Sequence, residues 1–170
     1  MDSCDECQFV YDELPARDIA GTLRDRAGRY RAELSVLDPA TAGTRPEPEV
    51  WSVLEYACHV RDVLLVQRER TLLALVEDNP DFPRMYREER AELAGYENQG
   101  LSALHSQVGM ASELLATVFD GLSVQQLARP CLYNFPARSQ RDVTWLGRHT
   151  VHELVHHLAD IRSVSERVRA

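Results

Sequence analysis

Apolar residues recur at steps of three and four along four long segments of the chain, and this spacing limits the fold more than any other feature. The first segment, about 15–37, carries the stripe Ile19, Leu23, Ala27, Tyr30, Leu34 and Leu37. The other segments cover about 51–77, 101–122 and 139–168, and none sustains the alternation of a β-strand. The pattern predicts an all-α four-helix bundle in which two long connections require a crossover.

Helix-start signals support these boundaries. Ser52-x-x-Glu55 has the form of a capping box, and Trp51 and Tyr56 occupy the two positions of a hydrophobic staple around it. Ser139-x-x-Asp142 resembles a second cap before the last helix. The second helix is apolar on most sides, which predicts that it is the most buried of the four.

Length and charge restrict the function classes. The chain has 170 residues, which predicts a single domain over 1–170, with 1–14 as an N-terminal extension. A formal net charge of −8 without a basic run disfavours nucleic acid and anionic membrane as partners. The sequence has neither an apolar run of about 20 residues nor the features of a signal peptide, so we expect a cytoplasmic protein.

Cys4 and Cys7 form a C-x-x-C pair ahead of the first helix. A zinc ribbon needs a second pair at similar spacing, and a helical redox motif normally follows a strand; the sequence has neither. These observations favour an inert terminus. A functional thiol pair or an auxiliary metal site is the alternative.

The segment "HTVHELVHHLAD", residues 149–160, contains four histidines and a literal H-E-x-x-H match. At about 100° per residue, the apolar stripe of the last helix turns Glu153 and His157 toward the core and His152 and His156 largely away from it. Glu153 and His157 are also spaced i, i+4, so both can reach one ion. A zinc protease would instead need His152 and His156 inward, with a third ligand further along the chain.

His59 is a candidate third ligand, since it lies in an apolar stretch of the second helix where a buried imidazole needs a partner. His59, Glu153 and His157 would give nitrogen, oxygen and nitrogen ligation suited to Zn²⁺ or Ni²⁺. The alternatives are a hydrogen-bonded core histidine for His59 and a solvated polar face for the late cluster. For His149, His152 and His156 the solvated face is favoured, and support of the ligands from behind is the alternative. Asp160 is placed to orient an imidazole.

The stretches "WSVLEYACHVRD" and "HTVHELVHHLADI" together resemble the DinB-like superfamily, and most closely its branch with the mycothiol-dependent maleylpyruvate isomerases. The resemblance implies a four-helix bundle in up-down-down-up order, commonly a homodimer. It also implies a divalent-metal site of three residues, which match His59, Glu153 and His157.

The resemblance further implies a metal-dependent thiol S-transferase or a thiol-assisted isomerase. Its partners would be a low-molecular-weight thiol such as mycothiol and an electrophile, and Arg61, Arg138 or Arg141 are candidates to hold the carboxylate of the thiol. The alternatives are a metal-dependent hydrolase that uses bound water, a non-catalytic metal-binding module linked to stress, and the zinc protease.

Overall fold

Four long helices form the body of the molecule. A computed structural model describes residues 2–169. The long helices are α1 (Ile19–Ser35), α3 (Val53–Val76), α5 (Leu101–Asp120) and α7 (Val143–Arg169). α1 and α3 each pack against both α5 and α7, so α1 lies diagonally opposite α3 and α5 lies diagonally opposite α7. The predicted all-α bundle of DinB type, in up-down-down-up order, is confirmed.

The apolar stripes meet in one continuous core. Ile19, Leu23, Tyr30 and Leu34 of α1 are buried, as the stripe predicts. α3 contributes the most buried positions, and these include charged side chains as well as apolar ones. No helix within residues 2–169 is both long enough and apolar enough to cross a bilayer.

The cap predicted for α3 is present in full. The backbone N–H of Ser52 donates to Oε2 of Glu55 at 2.9 Å, and the backbone N–H of Glu55 donates to Oγ of Ser52 at 3.2 Å. The rings of Trp51 and Tyr56 meet edge to face with centroids 5.5 Å apart. These contacts satisfy backbone donors at the helix start and fix the direction from which the chain enters α3.

The cap predicted before α7 is wrong in its first residue. Ser139 lies in a strand, and Asp142 itself is the capping residue, since its Oδ1 accepts from the backbone N–H of Trp145 at 2.7 Å. α7 therefore begins at Val143, three residues later than a cap at Ser139 would place it.

The two long connections contain a small sheet that the sequence analysis missed. Its strands are β1 (Asp81–Phe82), β2 (Pro130–Asn134) and β3 (Arg138–Asp142). β1 pairs with β2 in parallel, and β2 pairs with β3 antiparallel. Strands of two and five residues are too short for a clear alternating pattern, and the parallel pair depends on the packing of the whole chain. Short helices complete the connections: α2 (Pro39–Gly43), α4 (Arg87–Leu93) and α6 (Val124–Leu127).

The N-terminal segment, which the sequence predicts as an inert extension, lies packed against α7. Oδ2 of Asp2 accepts hydrogen bonds from Arg141 at 2.6 Å and from the Trp145 indole at 2.9 Å. Arg148 donates to the backbone oxygen of Leu14 and to Asp12. These contacts cover the face of α7 that turns away from the bundle core.

Candidate metal centre

Three side chains converge where α3 faces α7. One donor atom each of His59, Glu153 and His157 lies within 4.8 Å of the other two. Nε2 of His157 is 3.5 Å from Oε2 of Glu153, close to the ~3.4 Å that separates two ligands at about 2.1 Å from a tetrahedral ion. The rings of His59 and His157 meet edge to face with centroids 4.9 Å apart. This donor set is compatible with one divalent ion.

His59 is held in the second turn of α3, beside the ring of Trp51. The residue is only 4% exposed, and burial lowers its pKa to about 4. The imidazole is therefore neutral at neutral pH, the form that a metal ligand requires. Its Nδ1 is buried without a hydrogen-bond partner within the described residues. An unpaired buried nitrogen is costly, and coordination of the ring would offset that cost.

Glu153 supplies the negative charge of the group. Burial by itself would raise its pKa, but the nearby imidazoles of His152 and His157 outweigh burial and lower the pKa well below its ordinary value. Oε1 of Glu153 is 3.2 Å from Nδ1 of His152, and Oε2 is the oxygen near His157. The side chain is thus an anion with one oxygen directed at the candidate site.

Asp160 orients the ring of His157, as the sequence predicts. Nδ1 of His157 donates to Oδ2 of Asp160 at 2.8 Å, which leaves Nε2 as the nitrogen beside Glu153. Burial lowers the pKa of His157, but the hydrogen bonds to Asp160 and Glu153 outweigh it and raise the pKa to about 9. A carboxylate behind a histidine in this way fixes the tautomer and increases the basicity of a ligand nitrogen.

His149 belongs to this site, although the sequence favoured a solvated polar face for it. The hydroxyl of Tyr11 is 2.9 Å from Nδ1 of His149, and Nε2 is 3.9 Å from Oε1 of Glu153. Burial lowers the pKa of His149 to about 4. Tyr11 of the N-terminal segment and Tyr133 of β2 both pack against the His149 ring, which a helical wheel of α7 alone does not reveal. The available signal was the spacing of four residues between His149 and Glu153.

A cavity of about 320 Å³ opens above the three donors. Its walls come from α3, from α7, from the segment 84–89 and from the end of β2. Arg84 and Arg87 also line the cavity, together with Glu88 and Glu89, and Arg87 forms an exposed salt bridge with Glu88 at 3.0 Å. The cavity lining therefore includes cationic groups that can bind an anionic part of a small molecule.

The arginines proposed from the sequence for this role do not line the cavity. Arg61 is buried and donates to Asp62, Gln99 and Gln107. Arg138 pairs with Asp81, and Arg141 pairs with Asp2. The three guanidinium groups are thus occupied by structural contacts, so this prediction is wrong. The sheet brings the segment with Arg84 and Arg87 over the cavity instead.

Tyr133 of β2 places a hydroxyl in the cavity wall, and no sequence signal marked it. Its oxygen accepts hydrogen bonds from Nη1 of Arg70 at 2.9 Å and from Nε2 of Gln67 at 3.1 Å. Burial raises the pKa of this phenol, so it keeps its proton. With both acceptor positions of the oxygen used, the O–H can donate to a molecule in the cavity.

The two histidines of the H-E-x-x-H string lie outside the cavity that Glu153 lines. His152 and His156 lie against the N-terminal segment, and neither lines the cavity. The expectation of a solvated face is wrong for this pair, whose side chains are 12% and 21% exposed. Since Glu153 and His157 share the cavity, the arrangement differs from the one a zinc protease needs.

Solved structures of other proteins share this fold, and two of them align over nearly all of this chain. The first is described as "YfiT from Bacillus subtilis is a probable metal-dependent hydrolase with an unusual four-helix bundle topology"; it is 18% identical, with a TM-score of 0.78 over 98% of this chain and 91% of that chain. The second is a mycothiol-dependent maleylpyruvate isomerase, 17% identical, with a TM-score of 0.70 over 99% of this chain and 70% of that chain. At these identities the likeness shows the fold alone.

A search of curated proteins found no match. The sequence profile described as DinB superfamily matches residues 22–161, which is most of the chain and includes the three converging donors. The profile begins after Cys4 and Cys7, so the N-terminal pair lies outside the matched region. Together with the up-down-down-up bundle, this match shows that the chain belongs to the DinB superfamily.

Proposed function

We propose that the chain is a metal-dependent enzyme that activates a small thiol, acting as an S-transferase or a thiol-assisted isomerase. The convergence of His59, Glu153 and His157 beneath a cavity is the observation that supports this proposal. A bound Zn²⁺ or Ni²⁺ would lower the pKa of the thiol and stabilise it as a thiolate. Three protein ligands leave coordination positions for a small molecule.

The charges of the site suit an anionic sulfur. One carboxylate and two neutral imidazoles leave a divalent ion with a net positive charge, which favours a thiolate beside it. Asp160 holds His157 in the tautomer that presents Nε2. The chain's own groups therefore fix the ligands in place before the small molecule arrives, which reduces the reorganisation needed on binding.

Two groups of the cavity wall are suited to position the other reactant. The Tyr133 hydroxyl can donate to a carbonyl or carboxylate oxygen of the electrophile. Arg84 and Arg87 can bind a carboxylate on either the thiol or the electrophile. A low-molecular-weight thiol with polar and anionic groups, such as mycothiol, fits these requirements, and the isomerase with the same fold is described as mycothiol-dependent.

The remaining expectations belong to the same proposal. A small thiol and an electrophile are the partners, in a cytoplasmic protein with neither a nucleic acid nor a membrane as partner. The net charge of −8 supports the exclusion of polyanions. We also expect a homodimer, because the resemblance to the superfamily implies one.

Metal-dependent hydrolysis is the second candidate, in which water takes the place of the thiol. The structure with the higher TM-score of the two is described as a probable metal-dependent hydrolase. The donor set suits this chemistry equally well. A thiol-binding experiment separates the two candidates, and a protein that binds metal but neither thiol nor a hydrolysable substrate would be the non-catalytic module.

The test uses Co²⁺-loaded protein titrated with mycothiol. Cys4→Ser/Cys7→Ser is the background, because it removes the half-buried protein thiols from the spectrum. We expect a thiolate-to-cobalt charge-transfer band that grows with added mycothiol. His59→Ala in the same background is the control and should show no such band.

Absence of the band while cobalt is bound would contradict thiol activation. Metal-dependent turnover of ester or amide substrates under the same conditions would then support the hydrolase. A band of equal strength in the His59→Ala protein would show that the thiol binds elsewhere.

A further inference from the structure

We propose that Cys4, Cys7, His152 and His156 bind a second metal ion, a structural Zn²⁺, which fixes the N-terminal segment to α7. One donor atom of each of the four residues lies within 4.8 Å of the others. Sγ of Cys4 is 3.7 Å from Nδ1 of His156. Tetrahedral zinc with Zn–S of about 2.3 Å and Zn–N of about 2.0 Å would separate these atoms by ~3.5 Å.

The cysteine half of the site is a preformed turn, which we call the N-terminal knuckle (residues 3–10). Ser3 pairs with Val10 in an antiparallel bridge. Within it the backbone N–H of Gln8 donates to the oxygen of Cys4 at 2.9 Å. Gln8 has a φ of 59°, a left-handed conformation that is rare for a residue other than glycine. The tight turn directs Cys4 and Cys7 to the same side, toward α7.

The histidine half of the site comes from one turn of α7. His152 and His156 are spaced i, i+4, so their rings lie on the same face of the helix, with centroids 5.5 Å apart. C-x₂-C followed by H-x₃-H is the ligand spacing of Cys₂His₂ zinc sites. Here the two halves are far apart in the sequence, and the fold brings them together.

The environment of His152 is a second observation that supports a metal site. Its Nδ1 and Nε2 are both buried, and neither has a hydrogen-bond partner within the described residues. Nδ1 is 3.2 Å from a carboxylate oxygen of Glu153, but the arrangement is not that of a hydrogen bond. A buried imidazole with two unpaired nitrogens is costly, and metal coordination provides the missing partner.

His156 presents the nitrogen that the site needs. Its Nε2 is 3.3 Å from Oε2 of Glu6 and 3.8 Å from Oδ2 of Asp160, so carboxylates stand on that side of the ring. With its proton on Nε2, the ring has a free electron pair on Nδ1 that can coordinate a metal, and Nδ1 is the atom beside Cys4. This is the outer-shell arrangement common to metal-binding histidines.

The donor types select the metal and the role. Two thiolates and two imidazoles favour Zn²⁺, and four protein ligands close the coordination sphere so that no position remains for a substrate. The thiolates also neutralise the ion. The site is therefore structural, in contrast to the three-ligand site beneath the cavity, and the two share no ligand.

The position of the knuckle explains what such an ion would stabilise. Tyr11 follows the knuckle directly, and its hydroxyl contacts Nδ1 of His149 in the cavity wall. The ring of Phe9 packs against His152. An ion that joins the knuckle to α7 would therefore keep Tyr11 in place over His149.

The experiment measures zinc in the full-length protein, purified under reducing conditions without chelator. We expect about two zinc ions per chain in the wild type and about one in Cys4→Ser/Cys7→Ser. Cys131→Ala is the matched control, because this buried cysteine lies in β2 away from the cluster, and it should keep both ions. His59→Ala should lose the other ion and retain the one in the knuckle.

Cobalt substitution supplies the readout that identifies the ligands. The wild type and His59→Ala should both show a thiolate-to-cobalt charge-transfer band without any added thiol, and Cys4→Ser/Cys7→Ser should lose it. Loss of zinc only on His59→Ala, with no change in Cys4→Ser/Cys7→Ser, would overturn the knuckle site. A Cys4–Cys7 disulfide in zinc-free protein, found by mass spectrometry, would also overturn it in favour of a redox pair. The opposite result, in which His59→Ala changes nothing, would contradict the proposed function and leave the knuckle site intact.

Discussion

Replacement of Asp160 by Asn tests whether the carboxylate behind His157 tunes a metal ligand. The carboxylate accepts a 2.8 Å hydrogen bond from Nδ1 of His157. The loss of such a partner typically weakens metal binding ten- to hundredfold. Since the Asp160 side chain is 32% exposed, water replaces part of the interaction, and we expect about a tenfold loss, or ~1.4 kcal/mol.

The loss should depend on pH because protons compete with the metal for His157. With its pKa raised to about 9, the metal-free ring is protonated at pH 7, and displacement of that proton weakens apparent binding about 100-fold. Asp160→Asn also removes part of the upward shift, so the variant has less proton competition at pH 7. The tenfold loss should therefore appear in full near pH 9 and be smaller at pH 7.

The assay is a zinc titration against a competing chelator at pH 7 and pH 9, in the Cys4→Ser/Cys7→Ser background so that only the cavity site is measured. Glu166→Gln is the matched control, since it removes one carboxylate from an exposed position of the same helix. Affinity equal to the control at pH 9, or a loss that is larger at pH 7 than at pH 9, would refute this account of Asp160.

Three further predictions concern stability, each measured as the free energy of unfolding in urea. Tyr133→Phe leaves the side-chain donors of Gln67 and Arg70 without their shared acceptor and should cost about 1–3 kcal/mol. Tyr133→Leu should not restore this lost stability, because it also lacks the acceptor oxygen. Gly147→Ala should destabilise the protein, because the added Cβ would lie 2.7 Å from an aromatic ring of α5. Gly109→Ala should stabilise it by up to about 1 kcal/mol, because its Cβ meets only a flexible arginine at 3.2 Å. Changes of the same sign in the free energy of unfolding of both variants would contradict this reasoning. Ser52→Ala removes the capping box and should cost about 1 kcal/mol, and no loss would show that Trp51 alone fixes the helix start.

The four helices could be predicted because each apolar stripe repeats over many turns. The small sheet could not, because β1 has two residues and its partner lies in the other long connection. The cavity wall depends on that sheet. For this reason Tyr133 and Arg84 carried no signal in the sequence, and Arg61, Arg138 and Arg141 were proposed in their place.

The part of the candidate site that lies on α7 could be predicted, because the directions of its side chains depend on that helix alone. The apolar stripe of α7 gives the inward direction of Glu153 and His157 without any tertiary information. His59 was chosen from its apolar stretch of α3, and the resemblance to a family supported that choice. The same wheel misassigned His149, His152 and His156. It treats the far face of α7 as solvent, but the N-terminal segment covers that face.

The parallel pairing of β1 with β2 has a consequence for the order in which the protein can assemble. Asp81 pairs with Leu132, and the whole of α5 lies between them in the chain. Contacts between residues so far apart in sequence close long loops, which slows their formation. A nascent chain that ends after α5 therefore has β1 without β2, and His59 without Glu153 and His157. Tight metal binding at this site should therefore report that the whole chain has folded.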